Sequence, residues 1–145
     1  MKKEELKKIL DSHKLWLSDG MKGKKADLSY ANLSNADLSN ADLSHVNLYE
    51  ANLREANLRD ANLYDADLRE ADLRYADLRY ADLSYADLRE ADLRHANLRY
   101  ADLSYANLTY ADLRESDLRA TNLLHANLHE VKRSLDDTET NEGRN

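Results

Sequence analysis

Residues 66–118 read ADLREADLRYADLRYADLSYADLREADLRHANLRYADLSYANLTYADLRESDL. One unit of five recurs: a small residue, Asp or Asn, Leu, then two variable polar or aromatic residues. The register extends outward unbroken from Ala26 to Glu130, which makes 21 units of five. Leu stands at the centre of each, with Leu28, Leu48, Leu68, Leu83, Leu88, Leu108 and Leu128 marking it from end to end. A period of five fits no single regular element. On a helix a Leu at every fifth position drifts around the cylinder. On one long strand successive Leu alternate between faces. A chain that turns a corner once per unit points every Leu inward, and four corners close one coil.

Writing the sequence four units to a row supports that closure. Arg54, Arg74, Arg94 and Arg114 fall in one column, and Arg59, Arg79, Arg99 and Arg119 in the next. A third holds Ser44, Tyr64, Ser84, Ser104 and Leu124, with no Arg. The predicted fold is an all-β solenoid of about five coils, stacked at roughly 4.8 Å per turn.

The A(D/N)LXX pattern of residues 26–130 resembles the pentapeptide-repeat family. The resemblance implies a right-handed quadrilateral parallel β-helix. The Leu and the small residue before it then face inward, and the other three positions face outward. Three units depart from Ala at the small position: Val46, Ser116 and Thr121. Val46 is expected to overfill a corner, and the two hydroxyls to need backbone acceptors. The Asp or Asn before each Leu (12 Asp, nine Asn) suits hydrogen bonding to nearby backbone N–H groups at a turn. The repeats contain neither Gly nor Pro, so no corner carries the residue that usually takes positive φ.

Residues 1–25 form a separate segment. Leu6, Ile9, Leu10, His13, Trp16 and Leu17 recur at spacings of three and four, predicting a helix from about Lys3 to Ser18. Gly20 is the expected stop. A solenoid end exposes apolar interior and unpaired backbone, so the helix reads as an N-terminal cap, with a docking helix that displays Trp16 as the alternative. The cap also resembles one seen in family members. Residues 131–145 carry Arg133 in the slot of the next Leu. A polar tail, partly disordered from Asp136, is expected there. Leu124, Val131 and Leu135 either fold over the last coil or leave its end to pair with a second copy. Gyrase-inhibiting members of the family dimerise through that end, so a homodimer there is one expectation.

Charge is unevenly placed within the net -7. Residues 1–25 carry eight Lys and four acids, while the repeats carry ten Arg, no Lys and 20 acids. By column, the first (Glu50, Glu70, Glu90) nets -5, the second (Arg74, Arg94) -1, and the third (Arg79, Arg99) 0. The fourth (Asp82, Asp102) nets -4. First and fourth are neighbours, so one side of the rod nets -9. The opposite side holds the Arg ladders, with Glu55, Asp60 and Glu115 as expected partners. Tyr80 stacks one coil from Tyr100, and Tyr85 from Tyr105. Either these rings and the Arg stems stabilise the outside of the coils, or they form a candidate partner surface, because exposed Tyr and Arg favour interfaces.

The chain contains no cysteine, which excludes disulfides and Cys-based metal sites. His125, His129 and Glu130 cluster without a recognisable metal-ligand pattern. No nucleophile–base pair or phosphate-binding Gly loop is present, so neither an enzyme nor a cofactor is expected. The N-terminus resembles neither a signal peptide nor a membrane span, pointing to a cytoplasmic protein without membrane association. The expected role is a structural or protein–protein interaction module with an unidentified protein partner. Direct nucleic-acid binding is not expected, since the basic charge lies in the capping helix. The alternative is a DNA mimic. Some family members resemble duplex DNA in width and charge and occupy the DNA site of a type II topoisomerase such as DNA gyrase.

Overall fold

The computed structural model describes residues 1–135. The expected disordered tail from Asp136 lies outside them. One helix, α1, spans Lys3–Ser18. Its expected stop at Gly20 is not where the geometry is decided. Asp19 closes the helix in extended conformation, its N–H donating to the Leu15 carbonyl at 2.9 Å. Gly20 stands in open space. Gly23 is the constrained residue, with φ +68, where a Cβ would strike the Ser12 carbonyl oxygen. Leu6, Ile9 and Leu10 of α1 pack against the solenoid core.

From Asp27 onward each second position of a unit pairs with its equivalent four units further on. Parallel bridges join Asp27 to Asn47, Asn32 to Asn52, Asp37 to Asn57 and Asp42 to Asn62, and so on to Asp112 and Lys132. Each coil therefore carries four bridging positions. The pairing is parallel throughout, as a parallel β-helix requires, but every bridge is isolated, and no multi-residue strand forms among the described residues. The reason is length. Two positions of every unit are spent in a turn, so a side is too short for more than one bridge. The ladder also passes Glu130 and ends at Lys132.

Hydrogen bonding accounts for every backbone N–H of an interior repeat. In the unit Ala71–Tyr75, the Ala71 N–H donates to the Leu68 carbonyl at 3.1 Å, closing a turn. Asp72 donates to Ala51 on the preceding coil at 3.0 Å, and Leu73 to Asp92 on the following coil at 2.8 Å. Tyr75 donates to Arg94 on the following coil at 3.1 Å. The remaining N–H, of Arg74, goes to Oδ1 of Asp72 at 3.2 Å. This last bond, an Asx turn, recurs at all 21 Asp or Asn positions, from Ser29 N–H on Asp27 to His129 N–H on Asn127. It explains why Asp and Asn interchange: either supplies the oxygen. An interior unit thus leaves no backbone donor orphaned.

The corners are type II-like turns. The fifth residue of every unit, from Tyr30 to Glu130, has φ between 51 and 62, although none is Gly. Left-handed backbone costs an L-residue about 1–2 kcal/mol. Three bonds hold each corner from Tyr30 to Tyr110: the Asx turn, the turn-closing bond, and the stacking bond from the left-handed residue itself. The Glu115 N–H donates instead to Ser134 Oγ.

Inside, Leu48, Leu68, Leu83, Leu88 and Leu108 are 0 % exposed and Leu28 is 1 % exposed. Alanines fill the space between them. Val46 fits without disturbing its turn, which closes at 3.1 Å as at Ala41. The adjacent stacking bond from Asn47 to Ala26 is 3.2 Å, against 2.9 Å from Asn52 to Ala31. Ser116 Oγ donates to the Leu113 carbonyl at 2.6 Å, and Thr121 Oγ1 to Leu98 at 2.8 Å. Toward the C-terminal end, Leu118, Leu123, Leu128 and Val131 are only partly buried. Leu124 and Leu135 do not fold over that end; they are 59 % and 87 % exposed.

Candidate functional site

With the axis filled, the chemistry of this chain lies on four outer faces, numbered here as the four columns. Arg occurs at the fourth position of a unit, two positions after its Asp or Asn. That spacing lets one Asp serve both backbone and side chain. Asp72 Oδ1 accepts the Arg74 N–H and Nε (2.8 Å), while Oδ2 accepts Nη2 at 2.6 Å. Arg94 sits likewise on Asp92, Arg79 on Asp77, and Arg114 on Asp112. The guanidinium hydrogen bond holds Asp67, Asp72, Asp77, Asp112 and Asp117 below the ordinary carboxylate range. Two of these Arg also approach the Asp one coil on: Arg74 Nε lies 3.6 Å from Asp92, and Arg94 Nε 3.8 Å from Asp112.

The sequence reading assigned these Arg residues to Glu55, Asp60 and Glu115. That holds only where the preceding position is Asn. Arg54 then turns to Glu55 at 3.2 Å and Arg59 to Asp60 at 3.3 Å. Glu115 instead receives Ser134, whose Oγ lies 3.4 Å from its carboxylate. Arg99, which follows Asn97, forms no ion pair with a carboxylate among the described residues. Its guanidinium lies 5.7 Å from the centroid of Tyr100, and its Nε is buried without a partner.

Aromatic residues form columns of unequal length. On the second face Tyr75 stacks on His95 at 4.7 Å, with Arg54 over Tyr75. On the third, Tyr80 stacks on Tyr100 at 5.0 Å, with Arg59 over Tyr80. On the first, Glu70 accepts the Tyr49 hydroxyl at 3.2 Å, and hydrogen bonds to Glu50 and Glu70 push that phenol's pKa up. Glu50 and Glu90 occupy left-handed corners. Glu90 lines an open depression with Tyr110, Asp112 and Lys132.

The fourth face differs. His45 meets Tyr64 at 5.5 Å, Tyr64 meets Tyr85 at 5.6 Å, and Tyr85 stacks on Tyr105 at 4.9 Å. Tyr105 meets His125 at 4.9 Å. At the other end Trp16 of α1 meets His45 at 6.2 Å and stacks on His13 at 5.6 Å. Seven rings thus run from the helix to the last coil. Sequence reasoning found the Tyr85–Tyr105 pair and missed the column. Tyr64 stands at the fourth position of its unit, while His45 and Tyr85 stand at fifth positions. The ring spacing therefore falls just short of a full coil before Tyr64 and just over one after it. Only the direction of the side chains reveals the continuity.

Among the described residues no group of His, Cys, Asp and Glu is arranged to hold a metal, and no helix is long and apolar enough to cross a membrane.

The family model described as pentapeptide repeats (8 copies) matches residues 24–60, 61–99 and 96–132. Among solved structures, a pentapeptide repeat protein from the Arabidopsis thaliana thylakoid lumen is 35 % identical over 65 % of this chain and 66 % of that one, with a TM-score of 0.63. HetL of Nostoc sp. PCC 7120, a pentapeptide repeat protein involved in heterocyst differentiation regulation, is 35 % identical over 75 % of this chain and 64 % of its own, TM-score 0.38. Another Nostoc PCC 7120 pentapeptide repeat protein is 35 % identical over 86 % of this chain and 93 % of its own, TM-score 0.37. The chain spans about two thirds of the length of the first two. No curated protein sequence matches. Repeat by repeat, in sequence and in the winding of the backbone, the chain belongs to the pentapeptide-repeat family.

Proposed function

We propose that this chain is a non-catalytic protein–protein interaction rod, a right-handed four-sided β-helix of about five coils capped by α1. The observation that carries the reading is the filled axis. Leu43 to Leu113 at every fifth position are 0 % exposed, so a ligand reaches only the outer faces. Those faces present ordered rows of Tyr, Arg and carboxylate on a rigid backbone, the composition that favours recognition of another protein. The partly covered coil around Leu118, Leu123 and Leu128 supports end-to-end pairing with a second copy. The test is affinity capture with the wild-type chain and with variants altered one face at a time. A partner retained by wild type and lost from one face variant supports the reading. Capture indifferent to every face variant overturns it, and a doubled mass in light scattering marks the homodimer.

A second reading, a DNA mimic bound to a type II topoisomerase, is favoured by one observation: the first and fourth faces adjoin and together net -9. Duplex DNA of the same length, about 25 Å, would carry roughly 15 charges. Arg69 and Arg89 also neutralise Asp67 and Asp87 within the acidic side. A supercoiling assay with purified gyrase decides between the readings. Salt-sensitive inhibition that is lost on neutralising Glu50, Glu70, Glu90 and Asp82 selects mimicry. Indifference at micromolar protein selects the interaction rod.

A further inference from the structure

The fourth face is built like the second, with one component missing. On the second face, Asp72, Asp92 and Asp112 stack one coil apart, and a guanidinium spans each neighbouring pair. Stacked carboxylates repel, and the Arg between them relieves that repulsion. On the fourth face, Asp82 and Asp102 are likewise bridged one coil apart, yet Ser84 and Ser104 stand where Arg would be. Asp82 Oδ1 accepts the Ser84 N–H and hydroxyl. Asp102 Oδ1 accepts the Ser104 N–H and the Asn122 amide. Neither Oδ2 has a hydrogen-bond or ion-pair partner among the described residues, and the face contains no Lys or Arg.

Beside these carboxylates lie Tyr85 and Tyr105, 51 % and 48 % exposed, with rings within 6° of parallel. On the second and third faces, Arg54 and Arg59 of this chain cover the first Tyr of each stack. Over Tyr85 that place is taken by Tyr64 at 5.6 Å, and among the described residues no cation covers the Tyr85–Tyr105 pair. Rows of carboxylate oxygens and ring edges at one coil spacing, about 4.8 Å, match a cationic head on an apolar stem.

We propose that Asp82, Asp102, Tyr85 and Tyr105 form a docking surface for an extended Arg- and Lys-rich segment of a partner protein. The incoming guanidinium or ammonium groups take the place that Arg74 and Arg94 occupy on the second face. Their stems lie along the tyrosine edges. The net -4 of this face, which carries no Lys or Arg, supplies charge complementarity. The inference rests on the interaction reading and names the partner's chemistry.

The experiment is fluorescence anisotropy of the full chain with a labelled Arg-Ser repeat peptide at physiological salt, with a Glu-Ser repeat peptide as control. Two double variants probe the face. Asp82→Asn with Asp102→Asn keeps the Asx oxygen and follows Asn62 and Asn122 of the same column. Tyr85→Ala with Tyr105→Ala places Ala in the left-handed register position that Ala120 already holds. Each is expected to weaken basic-peptide binding about tenfold or more, while Glu70→Gln with Glu90→Gln changes it little. No binding by wild type overturns the partner class. Equal loss in the Glu70/Glu90 variant overturns the face and leaves the interaction reading standing. Self-association of wild type that Asp82→Asn/Asp102→Asn abolishes would assign the face to the Lys-rich N-terminal segment of a second copy, and so overturn the proposal.

Discussion

Nε2 of His13, in α1, lies 2.9 Å from the carbonyl oxygen of Ser44, on the first coil. The other ring nitrogen, Nδ1, accepts the N–H of Ala26 at 3.1 Å. A ring that accepts at Nδ1 must donate from Nε2, so the neutral tautomer is specified by its partners. His13 is 0 % exposed. Burial lowers its pKa from the ordinary 6.5, against the opposing pull of Ser44 and Asp42 and with smaller help from His45 and Lys25.

A pH dependence of helix docking is therefore expected. With the folded pKa below the unfolded one, the unfolded chain binds the extra proton first, and stability falls as pH drops below about 6.5. Protonation also sets an Nδ1–H against the Ala26 N–H. Thermal melting across mildly acidic to neutral pH should show the transition temperature fall on acidification, with a weaker slope in His13→Gln. Equal slopes would remove His13 from the account.

The interior should respond by position. Leu83→Ala opens a cavity in a fully buried column and should cost about 2–5 kcal/mol. Leu128→Ala, where the residue is only partly buried, should cost less than half as much. Leu83→Arg should abolish cooperative melting, because a buried charge has no partner on the axis. Urea denaturation measures the first two, and a wild-type-like melt of the Arg variant would contradict the stacked core.

Asp77 separates the turn from the ion pair. Asp77→Asn keeps the oxygen for the Arg79 N–H and loses only the pairing with the guanidinium, a change of about 0–1 kcal/mol. Asp77→Ala loses both and should cost about 1–3 kcal/mol. The ion-pair share is present above the ordinary carboxylate pKa of 3.8 and disappears as pH falls through the lowered folded value. Wild type and Asp77→Asn should therefore converge in strong acid, which urea melts at graded pH would read.

The corners predict an unusual tolerance. Glu90 has φ 60. Glu90→Gly relieves left-handed strain but adds unfolded-state entropy, and should change stability little. Glu90→Val places a β-branched residue in that conformation and should cost about 1–2 kcal/mol. A Val variant as stable as wild type would show that the corner relaxes.

Much of this protein was legible from one line of reasoning. A Leu in every unit of five can face one interior only if the chain turns once per unit, and Arg columns that recur at every fourth unit imply four turns per coil. The helix Lys3–Ser18 followed from apolar spacing. Both are statements about periodicity, which one-dimensional order contains in full.

The corner conformation was not legible, because its stability comes from three hydrogen bonds, one of them to the neighbouring coil. Nor were the Arg partners: carboxylates stand both before and after Arg114, at Asp112 and Glu115, and side-chain geometry at the Asx turn selects the first. The aromatic column from His13 to His125 lay furthest from view, since it joins α1 to fourth and fifth positions of successive coils. Periodicity alone dictates a stacked coil with a Leu interior. Tertiary structure alone decided which outer groups satisfy one another and which, like Asp82 and Asp102, keep an oxygen without a partner among the described residues. That outcome depends on distances between coils, and no repeat contains those distances by itself.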